Sequence, residues 1–152
     1  MRSRTATWFE CKVRYDQTQE NGSQKPVTEQ YVVDAMSFAE AEKCITEQLS
    51  PYINGKFEVT DVKKAAYKEV FFMDGSENTD SRYYKAKLQF ITIDEKTEKE
   101  KRSNVTYLVE ATSLHNALDN IDTVMKGTML DYVQASVSET AIIDVFEYQI
   151  KQ

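Results

Sequence analysis

Few side chains in this sequence can do covalent chemistry: two cysteines, Cys11 and Cys44, and one histidine, His115. A structural zinc site takes about four Cys or His ligands, so these residues do not make one. A cysteine–histidine nucleophile pair requires the fold to bring Cys44 and His115 together. Cys11 falls on the apolar side of an alternating stretch and Cys44 flanks a helical apolar stripe, so core filling is the plain reading of both. His115 sits at a helix start, where the dipole disfavours an imidazolium, and no partner base is identifiable. Glu40, Glu42 and Glu47 share one helix at spacings that describe a solvated face. No G-x-S-x-G, P-loop or G-x-G-x-x-G motif occurs, and the 4 glycines are scattered. The expectation is therefore no catalytic residue, no metal and no cofactor.

What remains is recognition. Trp8, Lys12 and Arg14 occupy the polar positions of "TWFECKVRY" (7–15), and Tyr83, Lys85 and Lys87 the matching positions of "YYKAKLQF" (83–90). Lys63, Lys64, Tyr67 and Lys68 follow in a bent segment between them. Cations interleaved with rings on a sheet suit phosphate contact and base stacking. The candidate ligand-binding residues are thus Trp8, Lys12, Arg14, Lys64, Tyr67, Tyr83, Lys85 and Lys87. Lys12, Arg14, Lys85 and Lys87 are expected on one face, with Trp8 and Tyr83 nearby. Acidic residues gather elsewhere, with Asp34, Glu40, Glu42 and Glu47 near one helix and Glu110, Asp119 and Asp122 near another. The competing reading is an ordinary solvated sheet, since exposed strands commonly carry Lys and aromatics. Glu10, Glu58, Asp61 and Glu69 also dilute the positive field.

The elements that position these residues recur. Phe9, Cys11, Val13 and Tyr15 alternate with polar neighbours, as Tyr84, Ala86, Leu88 and Phe90 do, at an offset of 75 (84 − 9). Polar loops follow, "DQTQENGSQKP" and "DEKTEKEKRSN". Second strands then match Tyr31, Val33 and Ala35 to Tyr107, Val109 and Ala111 at an offset of 76 (107 − 31). Helices come next, with Phe38, Ala41, Ile45 and Leu49 on one stripe and Leu114, Ala117, Leu118 and Ile121 on the other. Ser37 and Glu40 form a capping box, and Asn116 replaces the acid in the second copy, which predicts a weaker cap. Each half ends in a β-rich run, from Phe57 and from Tyr132, and the phase shift in the first predicts a bulge or bend near residues 63–66.

The expected fold is α+β: two tandem strand–strand–helix–strand repeats about a pseudo-two-fold, forming an antiparallel sheet with two helices. Residues 1–72 make the first repeat, 73–82 a polar linker and 83–152 the second, within one compact domain. The chain's 152 residues suit such a domain, and 41% hydrophobic content argues against disorder. A net charge of −6 argues against bulk polyanion affinity but leaves room for a local basic face. No apolar run reaches the roughly 20 residues of a membrane span, and "MRSRTATWFE" lacks a signal-peptide apolar core. A complete chain would be cytoplasmic, with reduced thiols.

The segments "TWFECKVRY", "VTEQYVVDAMSFAEAE" and "FEVTDVKKAAYKEVFF" resemble those of the domain-of-unknown-function family four-four-nine-four, of gut Bacteroidetes and their phages and mobile elements. The resemblance is close in the first half and looser in the second. It implies a cytosolic, phage-associated protein and transfers no binding residue. The expected function is a non-enzymatic binding module for a nucleotide or single-stranded nucleic acid, on the sheet face or in a groove between repeats. The alternative is a protein–protein or self-assembly module, a homodimer for example, using Val32, Leu108, Ile91 and Ile93. No membrane partner is expected.

Overall fold

Alternation in Trp8–Thr18 (β2) and Gln24–Asp34 (β3) produces an antiparallel hairpin in which Phe9 faces Val33 and Cys11 faces Tyr31. The computed structural model describes residues 1–75 and 80–148. Helix α1 (Phe38–Leu49) packs on the face carrying Phe9, Cys11, Val13, Tyr31 and Val33, and buries Ala41, Cys44, Ile45 and Leu49 there. Burying an isoleucine or leucine this completely contributes about 2 kcal/mol. Gly55, at φ +91°, supplies the left-handed turn after the helix. The chain then returns as Phe57–Ala65 (β4), antiparallel to the other edge of β2.

The same construction recurs downstream. Arg82–Ile93 (β6) and Glu100–Ala111 (β7) form a hairpin, α2 (Leu114–Met125) covers one face, and Asp131–Glu139 (β8) pairs antiparallel with β6. Ala86, Leu88, Tyr107, Val109, Ile121 and Met125 form its core. Both hairpins extend further than the apolar pattern indicates. Gln24–Pro26 and Glu100–Asn104 belong to ladders, although their composition reads as loop.

Two short strands complete the sheets. Glu69–Phe72 (β5) pairs with β7 and Ile142–Phe146 (β9) with β3, both in parallel. Arg2–Arg4 (β1) adds to β5. The strand orders are β1-β5-β7-β6-β8 and β4-β2-β3-β9. One compact unit thus comprises residues 6–66 with 141–152, and the other residues 1–5 with 67–140. The first takes β9 from the far half of the sequence, and the second takes β1 and β5. The α+β class with two helices is as expected, but the sheets are mixed: β5 and β9 enter beside strands running in their own direction, after the chain has left the previous sheet. A stacked ring pair fastens each incoming strand, Phe71–Tyr107 at 4.9 Å and Phe146–Tyr31 at 5.7 Å between centroids. Part of the expected 73–82 linker, residues 76–79, and the end of the second repeat, 149–152, lie outside the described residues.

The phase shift combines a bulge placed earlier than expected with a break in the strand at the expected 63–66. Lys12 pairs with Asp61 and Val13 with Val59, so Thr60 is the bulged residue. Lys87 with Ser136 and Leu88 with Gln134 leave Ala135 in the corresponding place. Beyond Ala65 the chain breaks and changes sheets.

The helix starts are capped alike. Ser37 Oγ accepts the Glu40 N–H at 3.1 Å, while Glu40 Oε1 accepts the Met36 N–H at 3.2 Å. Ser113 Oγ accepts the Asn116 N–H at 3.0 Å, and Asn116 Oδ1 accepts the Thr112 N–H at 3.0 Å. Asn116 therefore closes the reciprocal pair that a glutamate closes in α1. Ser37→Ala and Ser113→Ala will each lower stability by about 1 kcal/mol, read as equal shifts in urea unfolding midpoint.

Candidate functional site

On β6, the positions between the core residues put Lys85 and Lys87 on the face away from α2, about 7 Å apart along the strand. Both are exposed. Directly across from Lys85 are Leu108 of β7 and Ser138 of β8, and across from Lys87 are Thr106 and Ser136. No carboxylate occupies a facing position. Glu110, opposite the adjacent Tyr83, is held elsewhere: its carboxylate accepts the Met73 N–H at 2.8 Å and the Ser81 hydroxyl at 2.6 Å. Further along, Gln89 donates to Asn104 at 3.1 Å and accepts from Arg102 at 3.2 Å, and Arg102 pairs with Glu100 at 3.3 Å. Lys85, Lys87 and Arg102 thus lie on one hydroxyl- and amide-lined face of this sheet. Arg102 escaped the sequence reading because its surroundings look like loop; its period-two register with Gln89 and Ile91 is the signal that places it.

The other sheet disposes its cations differently. Lys12 faces Asp61, and Arg14 faces Glu58. Lys63 Nζ lies 3.5 Å from Glu10, which also accepts from Gln30 at 3.3 Å. Arg14 opens on a shallow cleft of about 400 Å³ lined by Tyr15, Asp16, Lys56, Phe57 and Glu58, where acids balance bases. Lys64 sits opposite Phe9, on the helix-bearing side of the sheet, away from Lys12 and Arg14. The four cations expected on one face are therefore divided between two sheets, and only one pair lacks facing acids.

The aromatic members are not surface rings. Trp8 is 0%, Tyr67 7% and Tyr83 5% exposed, so none presents a face to a ligand. Alternation had placed Trp8 and Tyr83 opposite the helix-facing residues, which holds, but at this end both sheet faces are covered. Trp8, Val32 and Asp34 are all fully buried on one sheet, and Tyr83, Leu108, Val70 and Phe72 are buried on the other. The same geometry corrects the apolar patch expected for assembly, because Val32 and Leu108 are core; Ile91 is half-buried and Ile93 is exposed. Asp34, expected among the surface acids, is instead a buried charged residue that pairs across the ladder with Trp8.

Neither thiol is poised for nucleophilic work. Cys11 and Cys44 are free and fully buried in the α1 core. Burial, reinforced by Asp61, Glu10 and Glu42, pushes the Cys11 thiol up to about 12. His115 is exposed, 4.0 Å from Asp119 one turn along α2. Among the described residues no three His, Cys, Asp or Glu side chains cluster to hold a metal, and no helix is long and apolar enough to cross a membrane.

A family model described as a domain of unknown function (DUF4494) matches residues 7–148. The chain belongs to the DUF4494 family. The match spans both hairpins, both helices and both parallel strands, so the DUF4494 domain includes residues of both compact units and leaves out β1. No curated protein and no solved structure matches the chain.

Proposed function

We propose that this DUF4494 domain is a non-enzymatic binding module of phage or mobile-element type that takes an anionic ligand on the Lys85–Lys87 face. The carrying observation is the pair of exposed lysines flanked by Thr106, Ser136 and Ser138 with no carboxylate opposite. Such a surface offers charge-assisted contacts and hydroxyl donors to phosphate oxygens, whereas Lys12 and Arg14 meet Asp61 and Glu58 first. With the rings of Trp8, Tyr67 and Tyr83 buried, phosphate contact rather than base stacking carries the binding. A short single-stranded nucleic acid or a nucleotide fits this chemistry, in the cytosol where buried thiols stay reduced.

We read the chain as a tandem duplication whose two copies exchanged their last strands. Support comes from equivalent pairings: Tyr31, Val32 and Val33 meet Asp144, Val145 and Phe146 as Tyr107, Leu108 and Val109 meet Glu69, Val70 and Phe71. On this reading the two lysines mark where the copies diverged in function.

Fluorescence anisotropy with labelled oligothymidylate across a potassium chloride series tests the site. Lys85→Gln and Lys87→Gln will each weaken binding about tenfold at low salt, and affinity will fall as salt rises, with a log–log slope near −0.7 per phosphate contacted. Lys12→Gln will change little. A weak salt response with tight mononucleotide binding selects the nucleotide form of the proposal, and unchanged binding in both lysine variants refutes the site.

A further inference from the structure

We propose that the outer edge of β8 captures an extended peptide as an added strand, and that the peptide it fits has an uncharged centre and a basic residue at each end. Among the described residues β8 is the last strand of its sheet and pairs only with β6. The Thr140 N–H donates to the Tyr83 carbonyl at 3.0 Å. In an antiparallel ladder this fixes the alternation, turning the amides and carbonyls of Ser138 and Ser136 toward β6 and those of Val137 and Glu139 outward. No hydrogen bond from another element reaches those outward groups among the described residues.

Exposed edges are normally guarded by charge. β4, the edge strand in the corresponding place of the other sheet, is guarded by Glu58, Asp61, Lys63 and Lys64 along its length. β8 is not: between Asp131 and Glu139 its residues are Tyr-Val-Gln-Ala-Ser-Val-Ser, with neither charge nor proline. Both edges carry a bulge, at Thr60 and Ala135, so the bulge does not account for the difference. Exposed Val133 and, just before the strand, Leu130 and Met129 add apolar surface for the incoming side chains.

The ends of the edge select the occupant. A second copy laid antiparallel over the whole strand puts Asp131 against Glu139 at both ends, a like-charge pairing that destabilises sheets. Asp122 adds negative charge at the Asp131 end, accepting from Tyr132 at 2.5 Å and Gln134 at 2.8 Å. Arg82 lies 3.6 Å from Glu139 in an exposed pair that a bound cation can share or replace. Main-chain bonds then supply affinity and the terminal acids supply preference, as in other strand-addition complexes.

The test uses two labelled synthetic peptides of about nine residues, alternating valine and threonine, one ended by lysines and one by glutamates. Anisotropy will show the lysine-ended peptide binding about tenfold tighter. Amide exchange will slow at Val137 and Glu139 on its addition. The double variant Asp131→Lys/Glu139→Lys will invert the preference without touching the strand interior. Lys85→Gln will leave peptide affinity unchanged, which separates this edge from the anion face. Equal affinity for both peptides, unprotected Val137 and Glu139 amides, or protection of those amides by self-association alone overturns the proposal.

Discussion

Trp8→Ala will cost the fold about 4 kcal/mol, enough to leave a marginal domain largely unfolded near physiological temperature. Trp8 is the sole tryptophan and is 0% exposed at the start of β2, between Asp34 on β3 and Ala65 on β4. Removing its ring forfeits a large transfer free energy and leaves a cavity in a position covered on both sides. Its indole N–H is buried without a hydrogen-bond partner among the described residues. Trp8→Phe therefore removes no such bond and relieves an unsatisfied donor, so it will cost less than half as much. Urea unfolding followed by circular dichroism measures both. The native fluorescence will be blue-shifted, shielded from acrylamide and unchanged by oligonucleotide. Quenching by ligand would mean that the ring is a binding surface after all.

Raising pH will unfold the protein between about pH 9 and 12, with Cys11 as a principal cause. The thiol is neutral when protonated, and burial lifts its folded value from 9.0 to about 12. Its contribution is therefore complete below the unfolded value and lost as pH climbs through the folded one. Over three units that is on the order of 4 kcal/mol. Tyr132, lifted to about 12 by burial and by its hydrogen bond to Asp122, and Tyr31, raised by burial and by Glu29, act in the same direction. Urea midpoints will be level from pH 7 to 8 and then fall. Cys11→Ala will start lower and decline less steeply over the same range. At pH 8 a thiol reagent will modify neither cysteine until urea is added; rapid labelling of the native protein would contradict the burial on which the pH response depends.

Local order was readable from the residue pattern because it is carried by local physics. Period-two runs placed β2 and β6, the change to a helical stripe placed α1 and α2, and Ser37 and Ser113 marked where the helices begin. Partners distant in sequence were not readable. Glu69–Phe72 and Ile142–Phe146 look like continuations of the strands before them, and nothing in strands of four or five residues says which sheet they will enter or in which direction. Alternation also assigned Trp8 and Tyr83 to the correct side of their strands without revealing that this side is covered. For the lysines the exposure was legible, but the contrast between Lys85, facing Leu108 and Ser138, and Lys12, facing Asp61, exists only in the cross-strand register.

The long-range parallel pairing of β5 and β9 has a consequence for biosynthesis. When a ribosome has released the first half of the chain, the sheet built on β2 and β3 still lacks the strand that seats against Tyr31, because residues 142–146 are translated after every other described strand. At usual elongation rates that strand lags by roughly 4 to 15 s, during which the β3 margin stays open to chaperones or neighbouring nascent chains. Once it arrives, two parallel clasps join the halves, so a protease cut between β5 and β6 would leave two fragments that migrate together until denatured.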